Sequence, residues 1–468
     1  MSCLIVRASA TAKNLLDTGC TNLYMQGMPK SPLPSSTIKA SLDSSREKCV
    51  KAMFSSQQAL TQEMALDTAG AARPTNDVAP THRSSCVERI RLALIIDFIG
   101  DWDQGGTERH IVRLLRTLDP HVFEPTIFVL QPTPSATAKQ VGCPVQLIGG
   151  IGKRSRLHRF LSLRKALKRF QPHIVQTFFI DGMFYGTIAA WLNRVPVIVQ
   201  SRRNAGYWQK FHHTLALRVL NPAVNYWQCN ARFVAAGLAS QEGIPQERIS
   251  VLPNSVDLSY FSPATAASRQ VARNNLGLPA DAPVFVVVST LRPIKGLPVF
   301  IEAAGLLQTS LPNAVFLIVG DGAEQKTLAE QIRNARLNDI VRMVGGHADV
   351  RPWLRAADIA VLPSHSESSS NALLEYMAMG LPAVVSDIPA NRELVEGEFF
   401  EPGSAAGLAE RILRLWNQPE RRQAMARQNR EAAMQYGDVT FSHRVQDYYF
   451  ALASSHLKDL NDRRQLED

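Results

Sequence analysis

Two glutamates, Glu367 and Glu375, are separated by seven residues where the sequence changes from loop to helix. The apolar residues that follow recur at helical spacing until a glycine and a proline end the pattern. Ser370 or Asn371 is suited to cap this helix, so Glu367 lies in the preceding loop and Glu375 about one turn inside. A helix N-terminus attracts phosphate, and carboxylates accept hydrogen bonds from hydroxyls. The pattern predicts a site for phosphate and vicinal hydroxyls on one ligand, as in a nucleotide sugar; the alternative is two surface glutamates.

A basic pair provides a second candidate ligand group. Arg292 and Lys295 follow an apolar run at 284–290, on a loop that precedes a predicted helix beginning at Pro298. Two cations in this position can hold a diphosphate without a metal, because they neutralise its charge directly. The alternative is a solvated basic loop.

Three further positions are candidates for ligand contact. Gly105 and Gly106 follow the apolar run at 91–97 and open the next helix. Because glycine lacks a Cβ, a ligand can approach this backbone closely; the alternative is a plain tight turn. After the run at 196–201, we expect Arg203 rather than Arg202 to contact a phosphate or an anionic acceptor.

The elements that position these residues alternate in type. Short apolar runs and helical patterns follow one another from residue 89, which indicates an α/β fold with parallel sheets. The alternation restarts after residues 252–257, so we predict two Rossmann-like domains that face each other across a cleft, with ligands at the carboxyl ends of the strands. The predicted strands are 91–97, 126–130, 145–148, 173–178, 196–201 and 224–229, then 284–290, 315–320, 341–344, 359–362 and 383–386.

The predicted domains divide the chain into four segments. Residues 89–258 form an acceptor-side domain, 259–435 a donor-side domain, and 436–468 a C-terminal helical segment of undefined docking. Residues 1–88 are rich in Ser, Thr and Ala without a sustained period, which is typical of disorder. The alternative is that translation starts downstream, for example at Met53 or Met64.

Composition limits the partners. The 468 residues have an ordinary hydrophobic content of 45% and a net charge of +10, which favours anionic partners. The six cysteines are far apart in the sequence and form no Cys-x-x-Cys motif or Cys/His cluster, so we predict no bound metal. The sequence contains no run of eighteen apolar residues, so we predict no membrane-spanning helix. The basic run at 153–169 has an apolar side and is either a solvated helix or a contact with anionic lipid. Nucleic acid is disfavoured, because these basic residues are not interleaved with a stacking platform.

From residue 89 onward, the chain resembles the family 4 retaining glycosyltransferases of the GT-B fold. The resemblance rests on several motifs in the family's order and spacing. These are Gly-Gly-Thr-Glu at 105–108, Pro-Asn-Ser-Val-Asp at 253–257, Arg-Pro-Ile-Lys-Gly at 292–296, Gly-Asp-Gly at 320–322, and the pair Glu367 and Glu375.

The resemblance implies an activity. It implies transfer of a sugar, with retention, from a nucleoside-diphosphate sugar to a glycan or lipid-linked acceptor in exopolysaccharide, capsule or cell-envelope synthesis. We expect a uridine-linked donor as co-substrate, no cofactor, and a cytoplasmic location that includes the inner face of the membrane. The alternatives are a catalytically silent sugar-nucleotide-binding regulator and a GT-B nucleotide-sugar epimerase.

The resemblance also implies residue roles. Arg292 and Lys295 would hold the donor diphosphate, Glu375 the ribose hydroxyls, and Glu367 the transferred sugar. Backbone N–H groups of the intervening loop would complete the phosphate site at Ser369, Ser370 and Asn371. Two departures from the family pattern concern this site. Three serines replace a common Gly-Phe-Gly, and arginines stand near the position where many relatives carry a sugar-contacting histidine.

Overall fold

The computed structural model describes residues 89–98, 106–131, 141–148, 155–203 and 211–467. The predicted extension at 1–88 and the candidate residue Gly105 lie outside the described residues. The described chain contains two parallel sheets with helices on both faces, which confirms the predicted GT-B architecture.

The first sheet has seven parallel strands in the order β3-β2-β1-β4-β5-β6-β7. Because the order reverses between β1 and β4, the topological switch point lies between these two strands. The strands are Ile90–Ile96 (β1), Phe123–Val129 (β2), Val145–Leu147 (β3), Ile174–Thr177 (β4), Val197–Arg202 (β5), Tyr226–Cys229 (β6) and Ile249–Val251 (β7).

The second sheet has six parallel strands in the order β10-β9-β8-β11-β12-β13. Its switch point lies between β8 and β11, which pair directly. The strands are Val284–Val288 (β8), Val315–Val319 (β9), Val341–Gly345 (β10), Ile359–Leu362 (β11), Ala383–Ser386 (β12) and Glu398–Phe400 (β13).

Helices connect the strands and cover both faces of each sheet. In the first half they are Gly106–Thr117 (α1), Arg156–Phe170 (α2), Thr187–Leu192 (α3), Phe211–Leu220 (α4) and Arg232–Glu242 (α5). In the second half they are Ala266–Asn275 (α6), Leu297–Leu307 (α7), Gln325–Asn334 (α8), Arg351–Ala356 (α9), Asn371–Ala378 (α10), Pro389–Leu394 (α11), Ala405–Trp416 (α12) and Pro419–Ala433 (α13). The last helix is Asp438–Glu467 (α14).

The central strands are buried on both faces. Four consecutive residues of β8, from Val284 to Val287, have no solvent exposure, and they belong alternately to two apolar clusters on opposite faces of the sheet. Such continuous apolar strands are typical of parallel sheets covered by helices. The cores therefore fix the strands, and the polar residues just beyond the strand ends remain available for function.

The helix α14 packs back against the first half of the chain. Its apolar residues Phe441, Val445 and Tyr449 join the core of the first sheet, and Gln446 Nε2 donates to Thr117 O over 2.9 Å. The chain therefore passes between the halves twice, and the two passages are joined where Val256 N donates to Tyr436 O over 2.8 Å. No helix in the described part of the chain has the length and apolarity needed to cross a membrane.

Candidate active site

Two loops meet at the switch point of the second sheet. The loop after β8 carries Lys295, the loop after β11 carries Glu367, and His365 N donates to Ile294 O over 2.9 Å between them. Gly296 has a φ of 63°, and a Cβ there would clash with the carbonyl oxygen of the other loop. Only glycine allows this close approach, because it has no Cβ, and it also adopts a positive φ without steric cost.

The candidate residues of these loops contact each other. Lys295 Nζ donates to Glu367 Oε1 over 2.6 Å, and Ser364 Oγ donates to the same oxygen over 2.7 Å. Lys295 and Glu367 are half-buried, whereas Arg292 is exposed. The structure thus brings the carboxylate of Glu367 and a cation together in one fixed group that a ligand can reach.

The helix α10 begins as the sequence predicts. Ser370 is the N-cap, and its hydroxyl accepts from Leu373 N over 3.3 Å. Tyr376 Oη accepts from Val288 N over 2.7 Å, which anchors the helix against β8. The helix N-terminus is therefore held at the carboxyl edge of the sheet, where its unpaired N–H groups suit an anion.

Glu375 contacts the first half of the chain. Its side chain is 5% exposed, and its Oε1 accepts from Arg109 Nη1 of α1 over 2.9 Å. Burial raises the pKa of Glu375, while the charges of Arg109 and Arg113 oppose that increase. The contact across the cleft therefore favours the ionised carboxylate.

Arg203 reaches the same cleft from the end of β5. Its Nη2 donates to Asn254 Oδ1, and its backbone oxygen accepts from Ser368 Oγ over 2.7 Å. Burial lowers the pKa of Arg203 to about 9, so the guanidinium is still a cation at neutral pH. Its Nε and Nη1 find no hydrogen-bond partner among the described residues.

Arg202 has a different environment from its neighbour. Its Nη2 lies 3.1 Å from Glu242 Oε2 in an ion pair whose two side chains are both buried. Arg202 is therefore paired within the first half, and the structure places Arg203, rather than Arg202, beside the loop at 368–370, called the serine loop below.

The serine loop is bound to the first half through side-chain amides. Asn254 Nδ2 donates to Ser369 O over 2.9 Å and to Asn371 Oδ1 over 2.8 Å. Asn230 Nδ2 donates to Ser368 Oγ over 3.0 Å. The three serines thus have separate positions: the hydroxyl of Ser368 and the backbone of Ser369 face the first half, and Ser370 caps the helix.

The start of α1 completes the cleft. Burial raises the pKa of Glu108, and the charges of Arg292, Arg203 and Arg109 oppose that shift, which places Glu108 near cations from both halves. Gly106 faces Asn371, since a Cβ at position 106 would lie 3.7 Å from Asn371 Nδ2. The candidates from the two sheets therefore converge on one cleft.

Sequence reasoning missed Arg109 and Asn254 as members of this site. Asn254 belongs to the motif at 253–257, and Arg109 directly follows Gly-Gly-Thr-Glu. The motifs therefore pointed to both positions, but they did not indicate what either side chain contacts. Among the residues that the structure describes, no cluster of His, Cys, Asp and Glu side chains could hold a metal ion.

The fold and the cleft define a class. Two doubly wound parallel sheets, joined across their carboxyl edges by cations, carboxylates and a helix N-terminus, are the arrangement of GT-B proteins. Residues 104–260 match Glycosyltransferase Family 4, and residues 268–432 match Glycosyl transferases group 1. A D-inositol 3-phosphate glycosyltransferase of Thermomonospora curvata is 30% identical over 379 residues, which cover 71% of this chain and 87% of the relative. The chain belongs to glycosyltransferase family 4.

Other relatives match over a shorter part of their length. The UDP-Gal:alpha-D-GlcNAc-diphosphoundecaprenol alpha-1,3-galactosyltransferase of Escherichia coli is 32% identical over 248 residues, which cover 51% of this chain and 64% of that relative. Two further D-inositol 3-phosphate glycosyltransferases match over 51% and 40% of their length. Among solved structures, HepE of Anabaena in complex with UDP has a TM-score of 0.68 at 20% identity, covering 77% of this chain and 99% of HepE. That likeness supports the fold.

Proposed function

We propose that the protein is a retaining glycosyltransferase that moves a sugar from a uridine-diphosphate sugar to a hydroxyl of a glycan or lipid-linked acceptor. The observation that carries the proposal is the cleft at the second switch point. There Lys295 and Glu367 lie 2.6 Å apart, close to the helix that carries Glu375. Cations, carboxylates and a helix N-terminus in one cleft match a ligand that combines a diphosphate with sugar hydroxyls.

We assign each residue the role that the family resemblance implies and that its chemistry allows. Arg292 and Lys295 stabilise the diphosphate as the bond to the anomeric carbon breaks, because negative charge develops on that leaving group. Glu375 accepts hydrogen bonds from the ribose, and Glu367 accepts hydrogen bonds from the transferred sugar. The remaining donor contacts are assigned to Gly105, Gly106, Ser369, Ser370, Asn371 and Arg203.

Retention fits a substitution on one face of the sugar. The acceptor hydroxyl attacks the anomeric carbon from the side on which the diphosphate leaves, and its proton passes to a phosphate oxygen of the leaving group. Glu367 is suited to orient the sugar, since Lys295 and Ser364 already hold its Oε1. A closed cleft excludes water, which suppresses hydrolysis of the donor.

The donor and acceptor classes are supported by the relatives. The Escherichia coli relative is named for a UDP-linked galactose donor and a diphosphoundecaprenol-linked acceptor sugar. HepE has been crystallised with UDP and with UDP-glucose. We assign the acceptor to the domain at 89–258, the donor to the domain at 259–435, and the remaining helical segment to 436–468.

A lipid-linked acceptor would make membrane contact useful, and α2 offers a surface for it. Leu157 and Leu161 on this helix are 66% and 51% exposed, beside arginines and lysines of the same helix. Exposed apolar residues on a basic helix suit an anionic lipid surface. We expect Leu161→Glu to reduce binding to phosphatidylglycerol vesicles several-fold in sedimentation assays. The matched control Val271→Glu, also at an exposed apolar position, should bind as the wild type does.

Donor binding is tested with a thermal-shift screen of common sugar nucleotides, including UDP-galactose and UDP-glucose. A bound donor raises the unfolding temperature, because it binds only the folded state. We expect a UDP-sugar to do so in the wild type and Lys295→Ala to weaken the effect. Absence of stabilisation by every nucleotide sugar would contradict the proposal.

Turnover then separates the three candidate functions. The stabilising donor is incubated with and without glycan and lipid-linked acceptors, and the products are identified by mass spectrometry and NMR. Transfer with retention supports the proposed enzyme. Conversion of the donor to an isomer without acceptor would indicate the epimerase, and binding without any turnover would indicate the regulator.

A further inference from the structure

The ion pair between Arg109 and Glu375 joins the two halves of the molecule inside the cleft. We infer that Arg109 is a positioning residue, which orients and holds ionised the carboxylate that receives the donor ribose. The inference rests on the proposed function, because that function assigns the ribose to Glu375.

The geometry leaves one oxygen of Glu375 for a ligand. Its Oε1 accepts from Arg109 Nη1 over 2.9 Å, and no group in the described part of the chain donates to its Oε2. The Glu375 side chain is 5% exposed, whereas Arg109 is 37% exposed. Arg109 thus fixes one oxygen of Glu375, and no described residue donates to the second, which can accept from a ribose hydroxyl.

The surrounding charges identify Arg109 as the main counter-ion. Two cations act on the Glu375 carboxylate, Arg109 and Arg113. Arg113 donates instead to the backbone oxygen of Ser255, and among the described residues Arg109 forms the ion pair with Glu375. A buried carboxylate that loses its counter-ion tends to take up a proton. A protonated Glu375 would have lost part of its acceptor capacity for the ribose.

The pair also links ribose binding to the meeting of the two halves. Arg109 lies on α1, which follows the first sheet's β1, and Glu375 lies on α10 at the edge of the second sheet. The contact can form only while these two edges are together. Because coupling between two equilibria is reciprocal, a donor that binds the oriented carboxylate favours the closed cleft.

A double-mutant cycle on donor affinity tests this role. UDP binding is measured by calorimetry at pH 7.5 for the wild type, Arg109→Met, Glu375→Gln and the double variant. We expect Arg109→Met to weaken UDP binding about tenfold, and the double variant to bind no more weakly than Glu375→Gln. Arg116→Met is the matched control, because Arg116 is exposed on the same helix and should leave affinity unchanged.

The pH dependence provides a readout that a purely structural role would not move. In Arg109→Met the loss of UDP affinity at low pH should begin at a higher pH than in the wild type, because Glu375 takes up its proton more readily. Arg109→Lys restores a cation and should return the pH profile towards that of the wild type. Circular dichroism confirms that each variant is folded.

The outcomes separate this inference from the proposed function. If the wild type binds no UDP or UDP-sugar, the proposed function fails and the inference fails with it. If the wild type binds and Glu375→Gln is impaired, but Arg109→Met has wild-type affinity and pH profile, only the inference fails. Additive effects of the two substitutions would also overturn it.

Discussion

The carboxyl edges of the two sheets use their charged residues differently. At the second edge, the paired Lys295 and Glu367 are half-buried at the cleft and Arg292 is exposed, so a ligand can reach all three. At the first edge, Arg202 is neutralised by Glu242 inside the domain. The second half therefore holds charges that a ligand can reach, whereas the first half pairs Arg202 with Glu242 in its interior.

Asp97 also contributes to the internal structure of the first half. This buried residue follows β1, and its carboxylate accepts from Gly182 N and, over 2.9 Å, from Asp181 N. These two donors lie between Phe179, which has a φ of 57°, and the rest of a π-helix at Gly182–Gly186. Such irregular turns occur frequently at functional sites. The first edge thus has an irregular loop geometry, and side chains such as Arg109, Asn230 and Asn254 extend from the first half to the shared site.

Removal of one cation from the second edge should have the largest effect. Lys295→Ala removes a positive charge that would stabilise the negative charge of the diphosphate, so we expect kcat to fall about 100- to 1000-fold. The initial rate of sugar transfer measures this. Lys326→Ala, at an exposed position of the same half, is the matched control and should retain wild-type turnover. A retained rate in Lys295→Ala would remove the distinction between the two edges.

Loss of the Asn254 side-chain amide, which links the two halves, should have an intermediate effect. Asn254 joins Arg203 to the backbone of Ser369 and to Asn371, so Asn254→Ala frees the serine loop from the first half. We expect kcat/KM to fall about tenfold, the effect of one or two lost buried hydrogen bonds.

A matched amide shows whether that effect belongs to the cleft. Asn193 Nδ2 also donates two backbone hydrogen bonds, to Arg164 O over 3.1 Å and to Ala189 O over 2.9 Å, but both lie within the first half. Asn193→Ala should lower the unfolding temperature and leave kcat/KM unchanged. Equal losses of activity in both variants would contradict a specific role for Asn254.

A second contact between the halves should affect stability more than chemistry. Glu393 on α11 accepts from Arg232 N over 2.8 Å at the start of α5, where the N-cap residue offers no side-chain hydrogen bond. A carboxylate at a helix N-terminus contributes about 1 kcal/mol. Glu393→Ala should therefore lower the unfolding temperature by about 2 °C, measured by calorimetry. The exposed neighbour Glu396 provides the control Glu396→Ala, for which we expect no change.

The smallest expected effect concerns the pH dependence of stability at the first edge. Burial raises the pKa of Asp97 to about 7 from a model-peptide value of 3.8. The folded state binds this proton more tightly, so the contribution to stability is complete below about pH 4 and is lost as pH rises to about 7. In Asp97→Asn, the unfolding free energy should change less steeply with pH in this window, by at most about 1.4 kcal/mol per pH unit. Identical slopes in urea unfolding would contradict the assignment.

The sequence predicted much of the regular structure, because periodicity is a local signal. The apolar runs located most strands to within three residues, and Ser370 was one of the two predicted caps of α10. The strands β7 and β13 were not predicted. Each has three residues, and a pattern of that length does not by itself separate a strand from a loop, although the equally short β3 was predicted.

The contacts across the cleft could not be predicted from local patterns. Arg109 and Glu375 are 266 positions apart, and Tyr449 of α14 bonds to Gln176 from 273 positions away. Such contacts depend on how the two sheets pack, which periodicity does not encode. The sequence could therefore place Glu375 on its helix, but could not show which residue of the other half would contact it.

The assignment of the donor to the second edge is tested most directly by a crystal structure of the protein with UDP. We expect ribose hydroxyls within hydrogen-bond distance of Glu375, about 2.6–3.2 Å, and the diphosphate against Arg292 and Lys295. A nucleotide bound at the first edge, or a diphosphate that contacts neither cation, would contradict the assignment.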